Sequence, residues 1–277
     1  ILALSRESLN MNNLHRELAP ISHAAWSQIE DEVARTFKRS VAGRRVVDVK
    51  GPGGTELSGV GTGHQIAIAA PQQGVVAKLS EVKSLVELTV PFELQREAID
   101  SVLRGAKDAD WQPAKEAAKE LAYAEDRAIF DGYKAAGIGG LREGSSNPAL
   151  ALPADIAAYP NTISNALEEL RLAGVDGPYS VLLGADAYTA LAEARDQGYP
   201  VIEHIKRIVS GDVIWAPALA GGSVISTRGG DFELHLGEEL SIGYSSHTDT
   251  VVRLYLRETL TFLALTSEAS VSLTQAE

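Results

Sequence analysis

The run VVRLYLRETLTFLAL, residues 251–265, constrains the fold more than any other stretch of this chain. Val252, Leu254, Leu256, Leu260 and Phe262 fall on one face, with Glu258 the exception; Arg253, Tyr255, Arg257, Thr259 and Thr261 fall on the other. Alternation of this kind marks an extended strand. At ~3.3 Å per residue it would be roughly 50 Å long. A compact domain of 277 residues is narrower than that, so the strand must bend or serve as a spine. Just ahead of it, Phe232–Leu236 and Leu240–Tyr244 are expected to pair with each other around Gly237.

Helical spacing dominates elsewhere. Trp26, Ile29, Val33, Phe37 and Val41 recur on one face of a helix from about His23, with Ser22 as N-cap and acids early, bases late. A strand is expected over Arg45–Lys50. In residues 51–64, GPGGTELSGVGTGH, seven of fourteen positions are Gly or Pro, which reads as turns and loop. An alternating stretch from Gln65 to about Leu94 predicts two strands out and back. Helices are expected at Arg96–Leu103 and from Pro113 to about Ala136, the second with an alanine-rich stripe suited to close packing. After the loop Gly144–Pro148 come short alternating helices and strands to about Thr227. The fold class expected from these periods is α+β.

Composition excludes several function classes. Net charge is −12, from 37 acidic and 25 basic residues, without the electrostatic footprint of a nucleic-acid binder. Cysteine is absent, which removes disulfides, iron–sulfur clusters and Cys-ligated zinc. No apolar run approaches the ~20 residues of a membrane span, and no stretch reads as a secretory signal. Neither a nucleic-acid nor a membrane partner is expected, and the expected location is cytoplasmic. Met11 is the sole methionine, so the natural start is expected there, with residues 1–10 an N-terminal extension or cloning remnant.

Motifs for catalysis are scarce. No phosphate-binding glycine loop lies between a strand and a helix. The six histidines, His15, His23, His64, His204, His235 and His247, have no metal-binding spacing. Gly243-Tyr244-Ser245-Ser246-His247, with Asp249 nearby, resembles a triad only in composition, because triad members converge from separate elements. No catalytic residue and no metal site are expected.

The sequence does carry a resemblance. MNNLHRELAPISHAAWSQIEDEVARTFKRSVAGRRVVDVKGP from Met11, VPFELQREAIDSVLRGAKDADW (90–111) and EDRAIFDGY (125–133) resemble encapsulin shell proteins, the linocin-like family of actinobacterial type. STRGGDFELHLGEELSIGYSSH (226–247) and RLYLRETLTFLALTSEASV (253–271) continue the resemblance, which covers Met11–Leu273. It implies the tailed-phage (HK97-like) capsid fold. A peripheral domain would comprise residues 11–56, 91–143 and 229–277, an extended loop 57–90 and an axial domain 144–228. It also implies self-assembly into a closed icosahedral shell, typically of about sixty subunits. The implied cargo is a dye-decolourising peroxidase or, second, a ferritin-like iron-storage protein, held by a targeting peptide on the inner wall. The shell would then be a storage compartment tied to oxidative stress, not an enzyme.

Carried over residue by residue, the peptide-binding positions are Phe37, Arg44, Asp48, Leu240, Ile242 and Tyr244. Alternation puts Leu240, Ile242 and Tyr244 on one strand face; without the resemblance all six read as ordinary core positions. The turn Asp196, Gln197, Gly198, Tyr199 matches a five-fold pore loop, or is a plain exposed turn. Some members of the family bind flavin through an aromatic residue near 96–103, but Glu97 and Ala98 offer none. No shell cofactor is expected; haem or iron would belong to the cargo. The alternatives are a phage or prophage major capsid protein, which shares the fold but packages DNA, and a hydrolase or protease using His247 or a carboxylate pair.

Overall fold

Two hydrophobic periods, one near 3.6 and one of 2, become helices and strands very nearly where the sequence places them. The structure, a computed structural model, describes residues 13–275; the expected extension and Met11 lie outside the described residues. The chain runs through α1 (His23–Ser40), a 3-10 turn (Gly43–Arg45), β1 (Asp48–Lys50), β2 (Gly59–Ile68), β3 (Ala77–Ser84), β4 (Val86–Gln95), α2 (Arg96–Leu103) and α3 (Gln112–Phe130). Then follow β5 (Leu150–Ala151), α4 (Tyr159–Leu172), β6 (Tyr179–Leu183), α5 (Ala185–Glu193), β7 (Arg195–Asp196), β8 (Tyr199–Pro200) and α6 (Val201–Ile208). Strands β9 (Val213–Trp215), β10 (Gly222–Ser226), β11 (Phe232–Leu236), β12 (Ser241–His247), β13 (Val251–Ala264) and β14 (Ser270–Thr274) complete it. The residues group into two units. Of the described residues, the first holds those up to Phe37, Thr89–Leu121 and Glu239–Glu258; the second holds Lys38–Leu88, Ala122–Glu238 and those from Thr259.

In the first unit, α1 buries Trp26, Ile29, Val33 and Phe37, the face its spacing predicts. Ser22 Oγ accepts the Ala25 N–H at 3.3 Å, the expected N-cap. Trp111 Nε1–H donates to Gln28 Oε1 at 3.2 Å. Strand β12 pairs antiparallel with the first half of β13, setting Ile242 opposite Leu256 and Tyr244 opposite Leu254. Val252, Leu254 and Leu256 are fully buried there.

The second unit is built on a five-stranded sheet in the order β5-β14-β10-β6-β9. Every residue of β6 and of β10 is buried, as expected of strands covered on both faces. Helix α4 adds Ile163, Leu167 and Leu170, and α6 adds Val201 and Ile205, to one apolar core. Leu260 and Phe262 of β13 join that core, with Phe262 stacked on Phe232 at 6.4 Å. Strands β2 and β3 pair only with each other, with Ile66 opposite Leu79 and Ile68 opposite Ala77.

Several expectations need correction: β2 begins at Gly59 inside the stretch expected as loop, and β3 and β4 follow it where two strands in all were expected. Strands β11 and β12 do not pair with each other; both pair with β13. Gly237 is no hairpin turn, because its N–H donates to the Thr259 carbonyl at 2.9 Å. Glu238 N–H then donates to Thr259 Oγ1 at 2.6 Å, so the chain stays on β13. The strand expected over Arg45–Lys50 is only β1, since residues 43–45 form the 3-10 turn.

Helix α3 stops at Phe130, not near Ala136. Gly132 there has φ +83°, and Gly140 packs directly on it. A Cβ on Gly140 would lie 2.2 Å from Gly132 N and 2.3 Å from the Asp131 carbonyl carbon, backbone atoms that have nowhere to go. Gly140→Ala is therefore expected to cost about 3 kcal/mol or more. A thermal melt of the variant within a few degrees of wild type would contradict this.

Candidate functional site

The site is built from the turn after α1. An N–H at the start of a helical turn has no partner within it. Here those donors belong to Ala42 and Gly43, and the Asp126 carboxylate of α3 answers them. Gly43 N–H donates to Oδ1 at 2.8 Å; Ala42 N–H donates to Oδ2 at 2.9 Å and Oδ1 at 3.1 Å. Next to it on α3, Glu125 takes the guanidinium of Arg44. Nε donates to Oε1 at 2.8 Å and Oε2 at 3.0 Å, and Nη2 donates to Oε2 at 2.6 Å. Both acids are fully buried. Two consecutive helix residues thus hold three consecutive residues of the turn.

Burial pushes the Asp126 carboxyl up to about 7. The Gly43 and Ala42 N–H bonds oppose that rise, Glu125 adds to it and Arg44 opposes it. The folded state therefore binds this proton more tightly than the unfolded chain does. The resulting stability is fully present below the ordinary carboxylate range and is lost as pH rises toward 7.

Asp48 lies on β1, which pairs parallel with β11. Its Oδ2 accepts the Gly230 N–H at 2.7 Å. The same loop is closed by Arg228, whose Nε and Nη2 donate to the two oxygens of Asp231 at 2.9 Å each. A cavity of about 160 Å³ lies here, lined by Arg45, Asp48, Ser226, Thr227 and Asp231 among others. Arg44 and Asp48 thus both belong to the second unit.

Phe37, Leu240, Ile242 and Tyr244 belong to the first unit. Phe37 and Ile242 are buried within the single chain, and Leu240 and Tyr244 are half-buried. The Tyr244 N–H donates to the Leu14 carbonyl at 2.8 Å. Arg257 Nη2 donates to Asn13 Oδ1 at 2.7 Å, and Tyr255 OH to the Asn13 carbonyl at 3.2 Å. Residues 13 and 14 therefore run beside β12 and β13, which no sequence pattern announced. The hydroxyl of Tyr244 shares a hydrogen bond with His247 Nδ1 at 2.6 Å, so that ring nitrogen engages a tyrosine and not Ser245 or Ser246.

Asp196, Gln197, Gly198 and Tyr199 form a tight hairpin in the second unit. Asp196 pairs with Tyr199, and the two residues between have φ of +46° and +87°, the signature of a type I′ turn. Arg207 stands 5.1 Å over the Tyr199 ring, and His204 lies 5.1 Å from it. Among the described residues no group of three or more His, Asp or Glu side chains could hold a metal ion, and no helix is long and apolar enough to cross a membrane.

Comparison with known proteins adds to this geometry. A family model described as an encapsulating protein for peroxidase matches residues 11–261. A Type 1 encapsulin shell protein of Mycobacterium tuberculosis is 61% identical over 263 residues, spanning 95% of this chain and 99% of that protein. One from Rhodococcus erythropolis is 59% identical over 263 residues, spanning 95% and 100%. Among solved structures, a virus-like particle from Pyrococcus furiosus superposes with TM-score 0.64 at 16% identity, covering 89% of this chain and 98% of that one. The capsid chain of Microbacterium phage Oxtober96 gives 0.57 at 12%, covering 86% and 91%.

The resemblance named Arg44 and Asp48; no sequence reading singled out Glu125 and Asp126, which hold Arg44 and the turn before it. The available signal was an adjacent acid pair inside the apolar run AYAEDRAIF. Removing the Arg44 side chain leaves Glu125 buried without its guanidinium. Arg44→Ala is expected to cost about 3–5 kcal/mol, the usual penalty for breaking a buried pair from one side. Chemical denaturation of the variant checks this; a loss under about 1 kcal/mol would place the pair among weak surface contacts.

Proposed function

We propose, from the premise that this chain belongs to the encapsulin shell-protein family, that it is the wall subunit of a closed compartment enclosing a peroxidase. Its fold is that of tailed-phage capsid proteins, and the family forms homo-oligomeric shells. The observation that carries assembly for this chain is the β2–β3 hairpin. A two-stranded hairpin alone is marginal in water, yet this one leaves Ile66, Ile68 and Leu79 about half exposed and Val76 84% exposed. Such a surface needs a protein partner, and in a homo-oligomer the partner is another copy.

In this account residues 57–90 are the extended loop, 144–228 the axial domain, and 11–56, 91–143 and 229–277 the peripheral domain. About sixty copies close the shell in the cytoplasm. Catalysis belongs to the cargo, a dye-decolourising peroxidase before a ferritin-like protein. A cargo peptide makes apolar contact with Phe37, Leu240, Ile242 and Tyr244 and polar contact with Arg44 and Asp48. The tight hairpin at Asp196–Tyr199 lines the five-fold pore, where repetition of Asp196 concentrates negative charge.

Two experiments test this. Ile66→Asp combined with Leu79→Asp is expected to abolish closed particles in electron micrographs while leaving the circular dichroism of the fold intact; intact particles would contradict the role of the hairpin. Co-expression with a dye-decolourising peroxidase is expected to give haem absorbance that comigrates with particles. Deleting the cargo's C-terminal peptide should remove that signal, and Tyr244→Ala should lower it about tenfold. Equal loading with and without the peptide would overturn the docking account.

A further inference from the structure

Helix α3 packs with alanine, leucine and isoleucine, a face with no use for charge. Glu125 and Asp126 nevertheless lie fully buried on it, one on Arg44 and the other on the amides of Ala42 and Gly43. A buried carboxylate costs several kcal/mol unless its partners compensate. Plain packing would be met more cheaply by an apolar pair. What the two acids determine is where the turn sits, and the turn carries Arg44 and leads directly to Asp48.

We propose that Glu125 and Asp126 are positioning residues for cargo docking, which fix the turn that carries Arg44 and leads to Asp48. This rests on the docking role given above to Arg44 and Asp48. Arg44 and Glu125 are the charged groups that act on Asp126. Arg45, on the same turn, reaches Asp212 instead at 3.6 Å, while Arg127 on α3 and Lys38 and Arg39 at the end of α1 are exposed.

The Asp126 proton supplies a readout of this positioning through linkage. The closed turn keeps the Asp126 proton up to about pH 7. An opened turn, with the carboxyl in water, gives it up near the ordinary value of about 4. Opening therefore becomes about tenfold easier for each pH unit between those limits and does not change further above 7. Firm positioning belongs to the acid side of neutrality, and the docking residues loosen as the carboxyl ionises.

Hydrogen exchange on assembled shells, read over residues 41–47 and corrected for intrinsic rates, tests this directly. From about pH 5 to about pH 7 wild-type protection should fall roughly tenfold per unit, then level off. Asp126→Asn should show no such slope, and Glu125→Gln should lower protection while retaining the slope. Peroxidase retained per shell should be lower at about pH 8 than at about pH 6 in wild type, and independent of pH in Asp126→Asn. A flat wild-type profile, which needs no variant to fold, overturns the inference and leaves docking standing. Loading that ignores deletion of the cargo's C-terminal peptide overturns docking and this inference with it.

Discussion

Hydrogen bonding along Val251–Ala264 is the constraint on which β1, β4, β11 and β12 depend. Its first half pairs with β12 and its second half with β11, and β1 reaches the sheet only through β11. A strand of fourteen residues can take more than one partner along its length because each ladder needs only a few residues. Its inward row, Val252, Leu254, Leu256, Leu260 and Phe262, is buried throughout. Removing any of these side chains would cost packing within its own unit as well as the position of the strand beside it.

On that frame the chain places polar groups where apolar ones would be easier to bury. Glu125, Asp126, Asp231, Arg257 and Glu258 are all buried. Two of them, Glu125 and Asp126, act on the turn that carries Arg44; Asp231 fixes the loop whose Gly230 binds Asp48. Arg44 is thus held directly by a buried carboxylate, and Asp48 by a loop that another buried carboxylate closes. A peptide-binding wall needs its contact groups fixed before the peptide arrives, since ordering them on binding subtracts from affinity.

Much of this was legible in the sequence, and the misses have physical causes. Arg96–Leu103 and Phe232–Leu236 match the sequence reading to the residue, because period and punctuation agree there. The end of α3 was misread by six residues: alanines and a lysine continue to favour helix, while the close contact of Gly140 with Gly132 is tertiary. The pairing of β11 and β12 was misread because Gly237 looks like a turn, and the Thr259 hydrogen bonds that override it come from twenty-two residues away. Arg44 and Asp48 came from family resemblance, not from spacing. Glu125 and Asp126 stayed hidden among 37 acids, where an adjacent pair ordinarily marks a solvated face.

The central claim is that this chain builds a closed shell from copies of itself. Mass photometry of the purified chain, alone and near neutral pH, tests it most directly. The account predicts one dominant species of about sixty subunits. A monomer or small oligomer as the stable species would contradict it.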